Sequence, residues 1–131
     1  MSESLPSLDS LVGDIGENAS LAMALPLLPQ SSAAVLGPGD DAAHVRFPDS
    51  GVLISADMMV EGPDFRFEWS SPKDVGFKAI ASNAADIAAM GGVVIGFEIA
   101  VAVPAHTPLR MLVGLAEGFA QGIETLTPGA G

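Results

Sequence analysis

The sequence predicts an α+β domain with the element order β-β-β-α-β-α, a layered arrangement in which helices cover one face of a sheet. Three observations carry that expectation. Short apolar runs alternate with turn residues between positions 33 and 60, a well-capped stretch at 72–90 has helical spacing, and an alternating run at 93–103 leads into a glycine-spaced helix. At 131 residues the chain has room for one domain, read as spanning 1–131 with residues 1–15 flexible.

Taken in order, LAMALPLLP is an apolar segment cut by Pro26 and Pro29, so a helix beginning near Asn18 must stop before Pro26. AAVLG (33–37) and AAHVRF (42–47) read as short strands around the loop GPGDD, and PDSG (48–51) carries hairpin-turn residues. VLISADMMV (52–60) has the near-continuous apolar character of a strand covered on both faces, with Asp57 its one charge. Ser71 can cap the next helix, Pro72 suits its first position, and Asp74 sits where a capping box places its acid. Phe77, Ile80, Ala81, Ala84, Ile87 and Ala88 then form a stripe, and Gly91-Gly92 end the helix. In VVIGFEIAVAV (93–103) the odd positions are large and apolar, which predicts one face filling a core. Thr107-Pro108 opens the last helix, where Gly114, Gly118 and Gly122 recur every four residues. Glycine is costly inside a helix, and the pattern makes sense if another backbone packs tightly there. The exit ETLTPGAG should lead into a further strand, so the chain reads as part of a longer protein.

Composition narrows the function. Hydrophobic residues make up 49% and charged residues 16%, enough for a buried core. Five Lys plus Arg against sixteen Asp plus Glu leave a net charge of −11, which argues against nucleic acid and anionic membrane as partners. Without cysteine there is no disulfide, zinc–thiolate site or thiol nucleophile. No basic leader or long uncharged apolar run is present, so the expectation is a soluble, cytoplasmic protein. His44 and His106 suggest no triad, and no phosphate-binding glycine loop of the usual kinds occurs. Trp69, flanked by Phe65 and Phe67, reads as a core or interface anchor.

Three acidic positions stand out. Asp40 and Asp41 follow Gly39 in a tight loop, Asp57 interrupts an apolar run, and Asn83 and Asp86 lie three apart on one helix face. Each has an ordinary alternative: a polar turn, a strand end facing water, an exposed helix face. Taken together, carboxylates converging from a loop, a strand and a helix would repel one another unless a divalent cation neutralised them. Hard oxygen ligands select magnesium, calcium or manganese, and magnesium favours a nucleotide.

Gly37-Pro38-Gly39-Asp40-Asp41-Ala42-Ala43, Ser55-Ala56-Asp57-Met58-Met59-Val60-Glu61-Gly62 and Asn83-Ala84-Ala85-Asp86-Ile87-Ala88-Ala89-Met90-Gly91 resemble, in order and spacing, the N-terminal half of the thiamine-monophosphate kinase family. That family lies within the aminoimidazole ribonucleotide synthetase-like superfamily. The similarity runs from about Gly16 to the end, with Asn18 where an aromatic is usual. It implies ATP-dependent phosphorylation of thiamine phosphate to thiamine diphosphate by direct attack on the γ-phosphoryl group. It also implies Asp41, Asp57 and Asp86 as magnesium ligands, Ser55 as a further metal contact, and Gly39, Asp40, Asp41 and Asn83 near the nucleotide. A homodimer whose N-terminal sheets combine into a barrel is implied as well.

Three departures accompany the resemblance. Asp64 occupies the place of a substrate-binding histidine in Glu61-Gly62-Pro63-Asp64-Phe65, Ala56 replaces a usual threonine, and the family's C-terminal domain is absent, so the chain alone is expected to be inactive. Two alternatives stay open: a superfamily relative with another phosphate acceptor, and a non-catalytic dimerisation or metal-binding module.

Overall fold

The computed structural model describes residues 5–36, 44–46 and 51–131. Helix α1 spans Val12–Ala24 and continues into a 3₁₀ turn at Leu25–Leu27, with β1 at Ala34–Leu36, β2 at His44–Val45, α2 at Pro72–Ala89 and α3 at Leu109–Leu126. The α+β character holds, with three α-helices and a small antiparallel sheet of β1 and β2 among the described residues. Ala34 pairs with Val45 and Leu36 with His44, an irregular register over a very short ladder.

Two expectations fail. Neither 52–60 nor 93–103 forms a strand. A strand is defined by its partner, and among the described residues these segments have no neighbouring edge to pair with. Without a ladder to hold the pleat, the alternation in 93–103 does not sort its side chains. Val94 and Phe97 pack on the core, whereas the odd-numbered Val93 is 86% exposed.

The helices match their sequence signals more closely. At the start of α2 the Ser71 hydroxyl accepts from the Asp74 N–H at 3.2 Å, and the Asp74 carboxylate accepts from the Ser71 N–H at 2.9 Å and from its hydroxyl at 2.6 Å. These bonds satisfy the helix's otherwise orphaned first donors. At the other end Gly91 takes φ 76°, its N–H reaches the Ala88 carbonyl, and the Gly92 N–H reaches Ile87. That pair of bonds closes the helix on a left-handed glycine. Helix α1 starts earlier than expected but is broken at Gly16, with φ 79° and ψ 174°, and ends before Pro26 as proline requires.

The backbone expected against the glycine-spaced helix is that of α2. A Cβ at Gly118 would lie 2.1 Å from the Lys73 carbonyl oxygen, and one at Gly76 would lie 2.3 Å from that of Leu115. Gly114 faces Pro72 and Gly122 faces Ile80. Around this contact Ile80, Phe119, Ile123 and Ala130 form the buried cluster, flanked by Leu28, Ala79, Val94, Phe97 and Leu115. Ala130 reaches the core because the chain after α3 turns back: the Gly131 carbonyl accepts from Phe97 N–H and that of Gly129 from Ser32 N–H. Near the other terminus, residues 8–13 bond to 105–110, through Val12 N–H to Thr107, Gly13 N–H to Ala105 and Leu109 N–H to Ser10.

Two stability outcomes follow. Gly118→Ala forces the helix backbones apart and should cost ~2 kcal/mol, since overpacking a tight contact outweighs alanine's better helix propensity. Gly114→Ala meets only the Pro72 side chain, at 2.9 Å, and should cost less in the same urea titrations. The hydrogen bonds from Ser71 hold the Asp74 carboxyl below its ordinary value. A lowered folded-state pKa adds stability above the unfolded value, and that stability is lost as pH falls through the folded one. The melting temperature of Asp74→Asn should therefore trail the parent's at pH 7, and the gap should close in strong acid.

Candidate functional site

One face of α2 packs on α3, and the opposite face bonds to the segment 55–64. Gly76, Ile80 and Ala84 are buried at four-residue intervals. Two residues further on is about 200° around a helix, so Lys78, Ser82 and Asp86 form a second row pointing away from the core. Each member of this row bonds to the segment 55–64. The Lys78 ammonium donates to the Asp64 carbonyl at 2.6 Å, the Ser82 hydroxyl donates to Asp57 Oδ2 at 3.0 Å, and Asp86 Oδ2 accepts from the Ser55 hydroxyl at 3.2 Å.

The order of these bonds runs the segment antiparallel to the helix. Ser82 and Asp86 are separated by about 6 Å along the helix axis, four residues at ~1.5 Å each. Ser55 and Asp57, two apart, span at most about 6.6 Å of extended chain. The matched intervals let both serine–carboxylate bonds form together. Both bonds use Oδ2, and no hydrogen bond to Oδ1 of Asp57 or Asp86 occurs among the described residues.

Both carboxylates are exposed, and neither is paired with a cation: among the described residues the one salt bridge joins Arg110 to Asp9. The donor set of two carboxylates and the Ser55 hydroxyl is all hard oxygen, which fits magnesium and lacks the nitrogen or sulfur that zinc prefers. No group of three His, Cys, Asp or Glu side chains suited to a metal is present among the described residues. The expected third ligand, Asp41, lies with Gly39 and Asp40 outside them.

The remaining expected residues lie elsewhere. Asn83 turns its amide back to the Ala79 carbonyl of its own helix at 3.0 Å. Asp64 accepts from the Val60 N–H at 2.7 Å and closes the turn in which Gly62 takes φ 103°. Beside that turn is a cleft of about 150 Å³ lined in part by Asp64, Phe65, Arg66, Trp69 and Lys78. Trp69 is not a core residue: it is exposed at the cleft, with the Arg66 guanidinium 4.9 Å over its ring. His44 and His106 are both exposed and take no part in the α2 face. Ser82 and Lys78 are the contributors that the sequence reading missed. Their signal was the four-residue spacing to Asp86, legible only once the opposite row is known to be buried.

The model of the family described as AIR synthase related protein, N-terminal domain, matches residues 39–127, which include the aspartates of all three motifs. The chain belongs to this family. Thiamine-monophosphate kinase from Mycobacterium tuberculosis (strain ATCC 25618 / H37Rv) is 47% identical over 90 residues, covering 69% of the chain and 27% of that relative. The Corynebacterium glutamicum thiamine-monophosphate kinase is 37% identical over 131 residues, covering 95% of the chain and 38% of the relative. The Bacillus subtilis one is 39% identical over 90 residues, 67% of the chain and 27% of the relative. The resemblance drawn from the three motifs is thereby borne out. The chain spans between about a quarter and two fifths of the length of these relatives. No solved structure matches it.

Proposed function

We propose that this chain is the nucleotide- and magnesium-binding N-terminal part of a thiamine-monophosphate kinase. The observation that carries the reading is the pair Asp57 and Asp86, each fixed by a serine through one oxygen and left open at the other, in a chain 37% identical to a relative of that name. In the proposed reaction a phosphate oxygen of thiamine phosphate attacks the γ-phosphorus of ATP. The new P–O bond forms as the bond to the β,γ-bridging oxygen breaks, and its electron pair leaves on ADP. Such a transfer asks for positioning and charge neutralisation more than for covalent chemistry.

Asp57 and Asp86 would hold magnesium, joined by Asp41, with Ser55 as a further contact; when bound, the metal offsets the charge of the phosphates. The charge inventory supports this reading. The chain has only five Lys and Arg, and Arg110, Arg66 and Lys78 are already engaged by Asp9, Trp69 and the Asp64 carbonyl. Gly39, Asp40 and Asn83 are assigned near the nucleotide on the motif match, and Asp64 near the acceptor.

A homodimer and a cytoplasmic location belong to the same reading. Val52, Ile54, Met58, Val93 and Val101 are exposed apolar side chains on the two segments that lack a ladder, which supports pairing with a second copy. No helix among the described residues is long and apolar enough to cross a membrane.

Calorimetric titration of Mg·ATP into the chain should give metal-dependent binding that Asp57→Asn and Asp86→Asn each weaken at least tenfold, the usual scale for removing one charged ligand group. Binding unchanged in both variants refutes the assignment. In sedimentation equilibrium the chain should be a dimer that Ile54→Asp drives to monomer.

A further inference from the structure

We propose that Ser82 is a positioning residue for Asp57, holding that carboxylate in the orientation that presents Oδ1 to a divalent cation; this rests on the reading of Asp57 and Asp86 as metal ligands. A serine in the middle of a helix ordinarily turns its hydroxyl back to the carbonyl four residues earlier or out to water. Ser82 does neither. Its hydroxyl crosses to another part of the chain and donates to Asp57 Oδ2 at 3.0 Å.

The bond matters because of what Asp57 otherwise lacks. Asp57 is exposed, lies in a segment with no ladder partner among the described residues, and receives no other side-chain hydrogen bond there. Its direction is therefore set by Ser82. Ser82 itself sits on a helix held tightly against α3, between the buried Ile80 and Ala84. A rigid helix thus lends its order to a carboxylate on an irregular segment, and because the hydroxyl occupies Oδ2 as a donor, Oδ1 keeps its lone pairs for a cation. Asp86 receives the same treatment in reverse, from Ser55. The two bonds together orient both carboxylates before any cation arrives, which lowers the ordering cost of binding.

Binding of Mn2+ alone, followed by the loss of the free-ion paramagnetic resonance signal, tests this in the 131-residue chain with Ser82→Ala, Ser82→Thr, Asp57→Asn and Asp86→Asn beside the parent. The metal-free melting temperature is measured for each. The expected result is about a tenfold weaker Mn2+ affinity in Ser82→Ala, the lower end of what loss of an outer-shell partner costs. Ser82→Thr, which keeps the hydroxyl, should stay close to the parent, and the metal-free melting temperature of Ser82→Ala should barely move. Parent-like affinity in Ser82→Ala, with binding lost in Asp57→Asn, overturns the role of Ser82 and leaves the metal ligands standing. Affinity that falls only together with melting temperature, without rescue by threonine, also overturns it and marks a structural role. No Mn2+ binding by the parent, or binding unaffected by either aspartate substitution, removes the metal reading and the proposal with it.

Discussion

The approach of α2 to α3 at glycine distance is the constraint from which the rest of the structure takes its orientation. With Gly76 under Leu115 and Gly118 under Lys73, the two backbones sit closer than any side chain allows, and the rotation of α2 about its own axis is decided. A helix has no independent choice of faces. Once Gly76, Ile80 and Ala84 turn inward, Lys78, Ser82 and Asp86 turn outward as a row, and the segment 55–64 is laced to that row at three points. The glycines make none of these bonds themselves, yet they determine which face of α2 is free to make them.

That dependence explains how a segment without regular structure can contribute to a site. Residues 52–60 have the composition of a buried strand but take their course from hydrogen bonds to a helix rather than from a ladder. Side-chain bonds to a rigid helix constrain only the residues that make them, so Ser55 and Asp57 are held while Ile54 and Met58 on either side of them remain exposed. The same segment thus offers two surfaces of different character, one polar and fastened, the other apolar and uncovered.

What could be read from the sequence was whatever depends on neighbours in the chain. The capping box at Ser71 and Asp74, the glycine exit at Gly91-Gly92 and the stop before Pro26 are settled within a turn or two, and all three were legible. The tight backbone contact was legible too, because Gly114, Gly118 and Gly122 make little sense without one. The failures share a different origin. Assigning 52–60 and 93–103 as strands requires knowing the partner edge, which local pattern cannot supply. Asp57 and Asp86 were singled out as unusual residues in apolar surroundings, but their serine partners were only half seen. Ser55 entered through a motif, whereas Ser82 looked like one more small residue on a helix.

Asp64 shows how an apparent misfit with the family is absorbed. An uncommitted carboxylate in place of a neutral ring would set a negative charge against an anionic phosphate acceptor. Here that carboxylate accepts the Val60 N–H at 2.7 Å, and the carbonyl of the same residue accepts the Lys78 ammonium at 2.6 Å. The acid is thus committed to closing the turn at Gly62. A carboxylate so engaged repels an approaching anion less than a free one, because one of its oxygens already accepts a backbone N–H at short range. The acidic substitution is therefore absorbed locally, by the backbone of its own turn, while Lys78 of the helical row anchors the carbonyl of the same residue.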